Sequence, residues 1–206
     1  DFYNKYDKST LVIYGSYRTT DFQRELYEAD LAATGSEDST RVAKPGFSEH
    51  ESGYAFDFTE TESNDYQGTG DYAWINENCY KYGFILRYPN GSSDVTGIIY
   101  EPWHFRYVGK AHAIYMRDHN LCLEEYLEEI KQYTYESEHL QTTDQFGFLC
   151  ETFYVPAPED TSAVIEIPVP AEQKFTVSGN NMDGFIVTVE SNLFASDMAD
   201  GTESSE

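Results

Sequence analysis

Two short segments about fifty residues apart carry side chains that could do chemistry together. SEHESGYAFDF holds His50 and Asp57, and EPWHF holds Glu101 and His104. Two imidazoles and two carboxylates are the inventory of a catalytic zinc site: three protein ligands, a position left for water, and a base to move that water's proton. Each member also has a plainer reading. Asp57 lies in the run YAFDF, whose aromatic and small residues predict burial. A buried carboxylate is costly unless paired or metal-bound, so Asp57 could equally cap a loop or pair with an arginine. Glu101 could be a surface glutamate, and His104 a packed histidine beside Trp103.

The chemistry makes demands on the backbone. Pro102 argues against a helix, so this is not a helical H-E-x-x-H arrangement. Residues three apart on an ideal strand face opposite sides. Glu101 can act on water beside His104 only if the chain bends at Pro102–Trp103. His50 and Asp57 can converge if Gly53 permits a tight turn.

The elements that must meet these demands follow from pattern. LVIY at Leu11–Tyr14 is a short β-rich run. Thr20 and Asp21 are expected to cap a helix over DFQRELYEADLAA, followed by a Gly/Ser/Thr/Pro-rich loop at 34–48. Gly53 to Thr59 alternates as a strand, with Tyr54, Phe56 and Phe58 on one face and Ala55 and Asp57 on the other. Asp71–Tyr82 reads as a helix stopped by Gly83. Phe84–Tyr88, Ile98–Tyr100 and His104–Val108 read as strands. Lys110–His119 and Leu121–Lys131 read as two closing helices. Near residue 140 the helical period gives way to short apolar runs separated by Pro, Gly and Asn, which suit about four strands. The expected fold class is therefore α+β. A domain over 1–138 is followed by a small β unit over 139–195 and an acidic tail over 196–206, expected to be disordered. The opening DFYNKYDKS reads as the end of a helix, so a trimmed N-terminus is expected.

Composition narrows the partners. The 206 residues carry a formal charge of −24. Such a field repels nucleic acid and anionic membrane. No apolar run approaches the roughly 20 residues of a membrane-spanning helix. Cys79, Cys122 and Cys150 contain no CxxC pair, so a cysteine zinc site is not expected, and one disulfide or none is possible. His112 and His119, seven apart on a predicted helix, read as ordinary solvated histidines.

Taken together, SxHxxGxAxD (Ser48, His50, Gly53, Ala55, Asp57) followed by ExxH with an inner tryptophan (Glu101, Trp103, His104) resembles the VanY-type D-alanyl-D-alanine carboxypeptidase family of zinc peptidases. GSYRTTDFQ, with Arg18 and Gln23, and ENCYKYGFILRYP add to the likeness, which covers roughly residues 10–130. The resemblance implies Zn2+ held by His50, Asp57 and His104, with Glu101 as general base. It implies that Arg18 contacts the substrate near its scissile carbonyl or C-terminal carboxylate, and that Ser48, Gln23 and Trp103 add substrate contacts. The implied fold is a compact antiparallel sheet with the zinc site in a groove on it. The implied substrate is a peptidoglycan stem peptide, cut by a monomer outside the cytoplasm of a Gram-positive bacterium. Removal of a terminal D-alanine (D,D) is the main expectation, with L,D cleavage of tetrapeptide stems as the alternative. A non-catalytic wall-peptide binding module is the competing class. The β unit after residue 140 lies outside this resemblance.

Overall fold

The computed structural model describes residues 1–6, 10–144 and 146–194. The chain folds as two compact units, Asp1–Gly109 and Lys110–Glu206.

The first unit is built on a four-stranded antiparallel sheet in the order β1-β2-β4-β3. Its strands are β1 (Leu11–Gly15), β2 (Ala55–Glu60), β3 (Phe84–Leu86) and β4 (His104–Tyr107). Helix α1 (Phe2–Lys5) precedes them, and α2 (Thr20–Thr34) follows β1. Thr19, one residue before the expected cap, takes the N-cap position of α2: its hydroxyl accepts from the Phe22 N–H at 3.3 Å. The helix stops at Gly35, whose φ of 69° places it in the left-handed region. The expected helix over 71–82 is broken into a 3-10 turn at Gly70–Tyr72, α3 (Ala73–Asn78) and a second 3-10 turn at Cys79–Tyr82. The expected strand at 98–100 is absent; a single helical turn, α4 (Ser93–Thr96), precedes irregular chain there.

Strand β2 is apolar on one face and chemical on the other. Phe56 and Phe58 pack against a cluster of Phe2, Leu11, Tyr66, Ile75 and Phe105. Aromatic edge-to-face contacts, such as Phe58 on Phe105 at 5.5 Å, knit this side. Side chains alternate along a strand, so Asp57 and His104, one residue along from Phe56 and Phe105, fall on the opposite face. The aromatic core thus anchors the sheet from behind and holds its polar face in place.

The second unit contains α5 (Lys110–His119), α6 (Leu123–Glu129) and a sheet in the order β5-β6-β8-β7. Its strands are β5 (Leu140–Thr143), β6 (Phe148–Pro156), β7 (Lys174–Gly179) and β8 (Gly184–Phe194). The two closing helices, grouped by sequence with the first domain, belong to this unit: α5 packs on β5, and the 3-10 turn Ile130–Gln132 packs on β6. Periodicity marks where strands begin, and packing sets a different boundary. His112 is half-buried and bridges two hydroxyls, Tyr126 at 2.6 Å and Thr188 at 2.9 Å, which corrects its reading as a solvated surface histidine. None of the three cysteines is in a disulfide, and Cys122 and Cys150 are buried. The expected tail over 196–206 lies outside the described residues. No helix among the described residues is long and apolar enough to cross a membrane.

Candidate metal centre

The register of the first sheet assembles the site. Asp57 on β2 pairs directly with His104 on β4, and Gly15 on β1 pairs with Asp57 from the other side after a register shift. Directly opposed residues on adjacent strands bring their side chains within contact range. His50 arrives from a 3-10 turn, Glu49–Ser52, which ends at Gly53 with φ 74°. That left-handed glycine is the tight turn the sequence demanded. The bend at Pro102–Trp103 is also present: the His104 N–H donates to the Glu101 carbonyl at 3.2 Å, closing a turn just before β4 begins.

His50, Asp57 and His104 each present a ligand atom, and these atoms lie within 4.8 Å of one another. His50 Nε2 is 3.3 Å from Asp57 Oδ2, and His104 Nδ1 is 2.9 Å from Asp57 Oδ1. Zinc bound to nitrogen and oxygen at about 2.0–2.2 Å in a tetrahedron sets ligand atoms about 3.4 Å apart. The spacing and the donor types both fit that ion. The ring nitrogens turned away from the cluster are occupied: His50 Nδ1–H donates to the Ser16 carbonyl at 2.7 Å, and His104 Nε2 faces Glu49 Oε2 at 3.3 Å.

Charge and burial tune the group. Burial works to raise the Asp57 carboxyl, but hydrogen bonds from His104 and His50 outweigh it and hold the group well below the usual carboxylate range. Burial would lower His104, yet its bonds to Asp57 and Glu49 push it up to about 9 in the metal-free chain. Glu101 has no such compensation. Burial, with a smaller contribution from the negative charge of Asp57, pushes it up to about 7 against the opposing charges of His104, Arg18 and Arg41. Its Oε2 stands 3.9 Å from His104 Nδ1, beside the cluster rather than within it. A carboxyl group poised near neutrality suits proton transfer.

Arg18 and Gln23 also reach the site. Arg18 Nη2 donates to Asp57 Oδ2 at 3.1 Å, and its Nη1 lies 3.4 Å from Gln23 Oε1. Gln23 is 1% exposed, and its Nε2 donates to the Ala43 carbonyl at 2.8 Å. It therefore steadies both Arg18 and the loop at 34–48. Gly15 makes room here, since a Cβ at this position would lie 2.6 Å from Asp57 Oδ2 and 3.2 Å from Arg18 Nη2. Ser48 is buried at the start of the 3-10 turn, and its side chain makes no capping bond. Trp103, in the turn before β4, is half-buried and packs against the aromatic cluster behind the sheet.

Sequence reading passed over Glu49, Arg87 and Arg106. Glu49 lies next to His50 but turns toward His104, and both arginines meet it. Arg106 was findable, since it stands two residues after His104 and shares its strand face. Glu49 and Arg87 carried no comparable signal.

With this geometry in place, comparison with known proteins decides the family. The family model for VanY, D-alanyl-D-alanine carboxypeptidase, matches residues 3–110. The chain belongs to the VanY family. A D-alanyl-D-alanine carboxypeptidase of Enterococcus faecium is 39% identical over 182 residues, covering 88% of this chain and 54% of that protein. This VanY-family chain thus spans about half the length of that relative. Among solved structures, the vancomycin-resistance D,D-dipeptidase VanXYg, in complex with a D-Ala-D-Ala phosphinate analogue, superposes with a TM-score of 0.82 at 31% identity. That match covers 92% of this chain and 77% of VanXYg, so it extends well past the segment that the VanY family model matches. A D,D-pentapeptidase VanY variant from a VanB-type resistance cassette, solved with Zn(II), gives a TM-score of 0.50 at 39% identity. It covers 59% of this chain and 73% of its own.

Proposed function

We propose that this chain is a zinc-dependent carboxypeptidase that removes the terminal D-alanine from peptidoglycan stem peptides. The observation that carries the reading is the meeting of His50, Asp57 and His104 within 4.8 Å, with Glu101 alongside at 3.9 Å from His104. Family membership and the Zn(II)-containing VanY neighbour support zinc as the ion.

His50, Asp57 and His104 would hold the metal, which when bound acts as a Lewis acid toward the peptide carbonyl and makes water a better nucleophile near neutral pH. Glu101 takes the proton from the attacking water and returns it to the leaving amine. Its position outside the ligand trio and its raised pKa suit that role. Arg18 offers a planar pair of donors beside the trio, placed to stabilise charge developing on the carbonyl oxygen or to bind the C-terminal carboxylate. Gln23 orients that guanidinium, and Ser48 adds a hydroxyl at the start of the turn that carries His50. Trp103, half-buried against the aromatic cluster, has a packing role, and its exposed part is left for the substrate contact. We place the enzyme outside the cytoplasm of a Gram-positive bacterium, where the substrate lies, and take it to act as a monomer.

The test is mass spectrometry of products from stem pentapeptide ending in D-Ala-D-Ala and from stem tetrapeptide. The expected result is loss of one alanine from the pentapeptide, abolished by a chelator and restored by zinc. Cleavage of the tetrapeptide alone would assign L,D specificity. Tight peptide binding without turnover in zinc-loaded protein would make the chain a binding module.

A further inference from the structure

Glu49 is adjacent in sequence to one histidine of the site and bonded in space to the other. The 3-10 turn sends His50 toward Asp57 and Glu49 toward the far side of the His104 ring. Glu49 Oε2 lies 3.3 Å from His104 Nε2. Its Oε1 accepts from Arg87 Nε at 2.7 Å and lies 3.2 Å from Arg106 Nη1. All four side chains are nearly shut off from water, with exposures of 12% for Glu49, 5% for His104, 9% for Arg87 and 17% for Arg106.

Two guanidinium groups balance the charge of this carboxylate. They also fix its position, because Arg106 is on β4 and Arg87 follows β3 directly. The result is an acceptor held rigidly at one nitrogen of His104 while the other nitrogen faces Asp57 at 2.9 Å. Tyr88 closes the side of the ring, with centroids 4.9 Å apart. A histidine that ligates a metal through one nitrogen commonly donates its other N–H to a carboxylate, which sets the tautomer and ring orientation. Loss of such a partner typically costs 10–100-fold in metal affinity.

We propose that Glu49 is a positioning residue of the metal centre: clamped by Arg87 and Arg106, it accepts from His104 Nε2–H and so presents Nδ1 to the ion shared with His50 and Asp57. The inference rests on the metal-centre reading above, and its test separates the two. Zinc affinity is measured by competition with a chromophoric chelator for the wild type, Glu49→Gln and Glu49→Leu, alongside thermal melts of the metal-free proteins. Glu49→Gln keeps a weaker acceptor and should bind zinc about 10-fold less tightly, and Glu49→Leu keeps none and should lose about 100-fold. A merely structural ion pair would lower the melting temperature and leave the zinc affinity of the folded fraction unchanged, which overturns the proposal. Wild-type protein that holds no zinc would instead overturn the metal-centre reading. Should the single variants fail to fold, Glu49→Gln combined with Arg87→Met removes one buried charge of each sign and is expected to show the same loss. The wild type offers a readout needing no variant: ring-nitrogen NMR of the zinc-loaded protein should find His104 Nε2 protonated, and an unprotonated Nε2 would refute the assignment.

Discussion

Replacing Glu101 by Gln should abolish hydrolysis and, in metal-free protein, raise stability. Both effects trace to one cause, a carboxylate held in a site that disfavours its charge. Burial is the main reason its pKa rises from 4.5 to about 7, and the side chain is only 10% exposed. A carboxyl group whose pKa is raised on folding binds its proton more tightly in the native state. Stability therefore falls as pH climbs from about 4.5 to about 7, and the full penalty applies above that window. A rise of that size at 1.36 kcal/mol per pH unit gives a ceiling of about 3 kcal/mol. Glutamine has nearly the same shape and no charge, so the variant should gain up to that amount at pH 8 and little at pH 5. Loss of a general base costs roughly 10²–10⁴ in rate, or about 3–5 kcal/mol of barrier. Zinc should remain bound, because Glu101 is outside the ligand trio. The assays are turnover by mass spectrometry and urea unfolding of chelator-treated protein at pH 5 and pH 8. Removing metal matters, since a bound dication would itself favour the ionised carboxylate. Hydrolysis within tenfold of wild type would refute Glu101 as the base. A loss of stability at pH 8 would refute the account of its burial.

Three further outcomes are expected. Asp57→Asn removes the charge and turns one of the two oxygens shared by His50, His104 and Arg18 into a donor NH2, and should abolish zinc binding in a chelator competition; near-normal affinity would remove Asp57 from the ligand set. In the second unit, desolvation lowers His112 to about 4, so folding disfavours its protonation. Stability should be highest above the ordinary value of 6.5 and fall as pH drops toward 4, by at most about 3 kcal/mol and by less for a partly exposed ring; a His112→Phe variant whose unfolding shows the same acid slope would contradict this. At Gly184 a Cβ would lie 2.5 Å from the Tyr154 hydroxyl oxygen, which is bonded to the Asp183 carbonyl at 2.8 Å. Gly184→Ala should cost about 1–3 kcal/mol in urea unfolding, while Gly179→Ala, with open space around it, should be near neutral.

The order of elements in the first unit was largely readable because its strands alternate and its helix α2 is bounded by a cap and a glycine. The broken segment at 70–82 was not, because an apolar helical period cannot distinguish α from 3-10 turns where tertiary packing decides. The grouping of α5 and α6 with the second sheet was hidden for a similar reason. Amphipathic helices announce that they bury a face, and say nothing of which sheet receives it.

Residue types and spacing alone determined the chemistry on offer: the two histidines, the two acids, the glycine turn and the required bend before His104. Register decided that Asp57 and His104 share one face, because a slip of one residue would have sent either into the aromatic core. Only the folded chain could reveal that Trp103 packs on the aromatic cluster, that Gln23 is buried beside Arg18, and that Glu49 and two arginines hold the far side of His104. Those roles depend on meetings between strands and a turn far apart in the chain, and such meetings leave no periodic trace in the order of the residues.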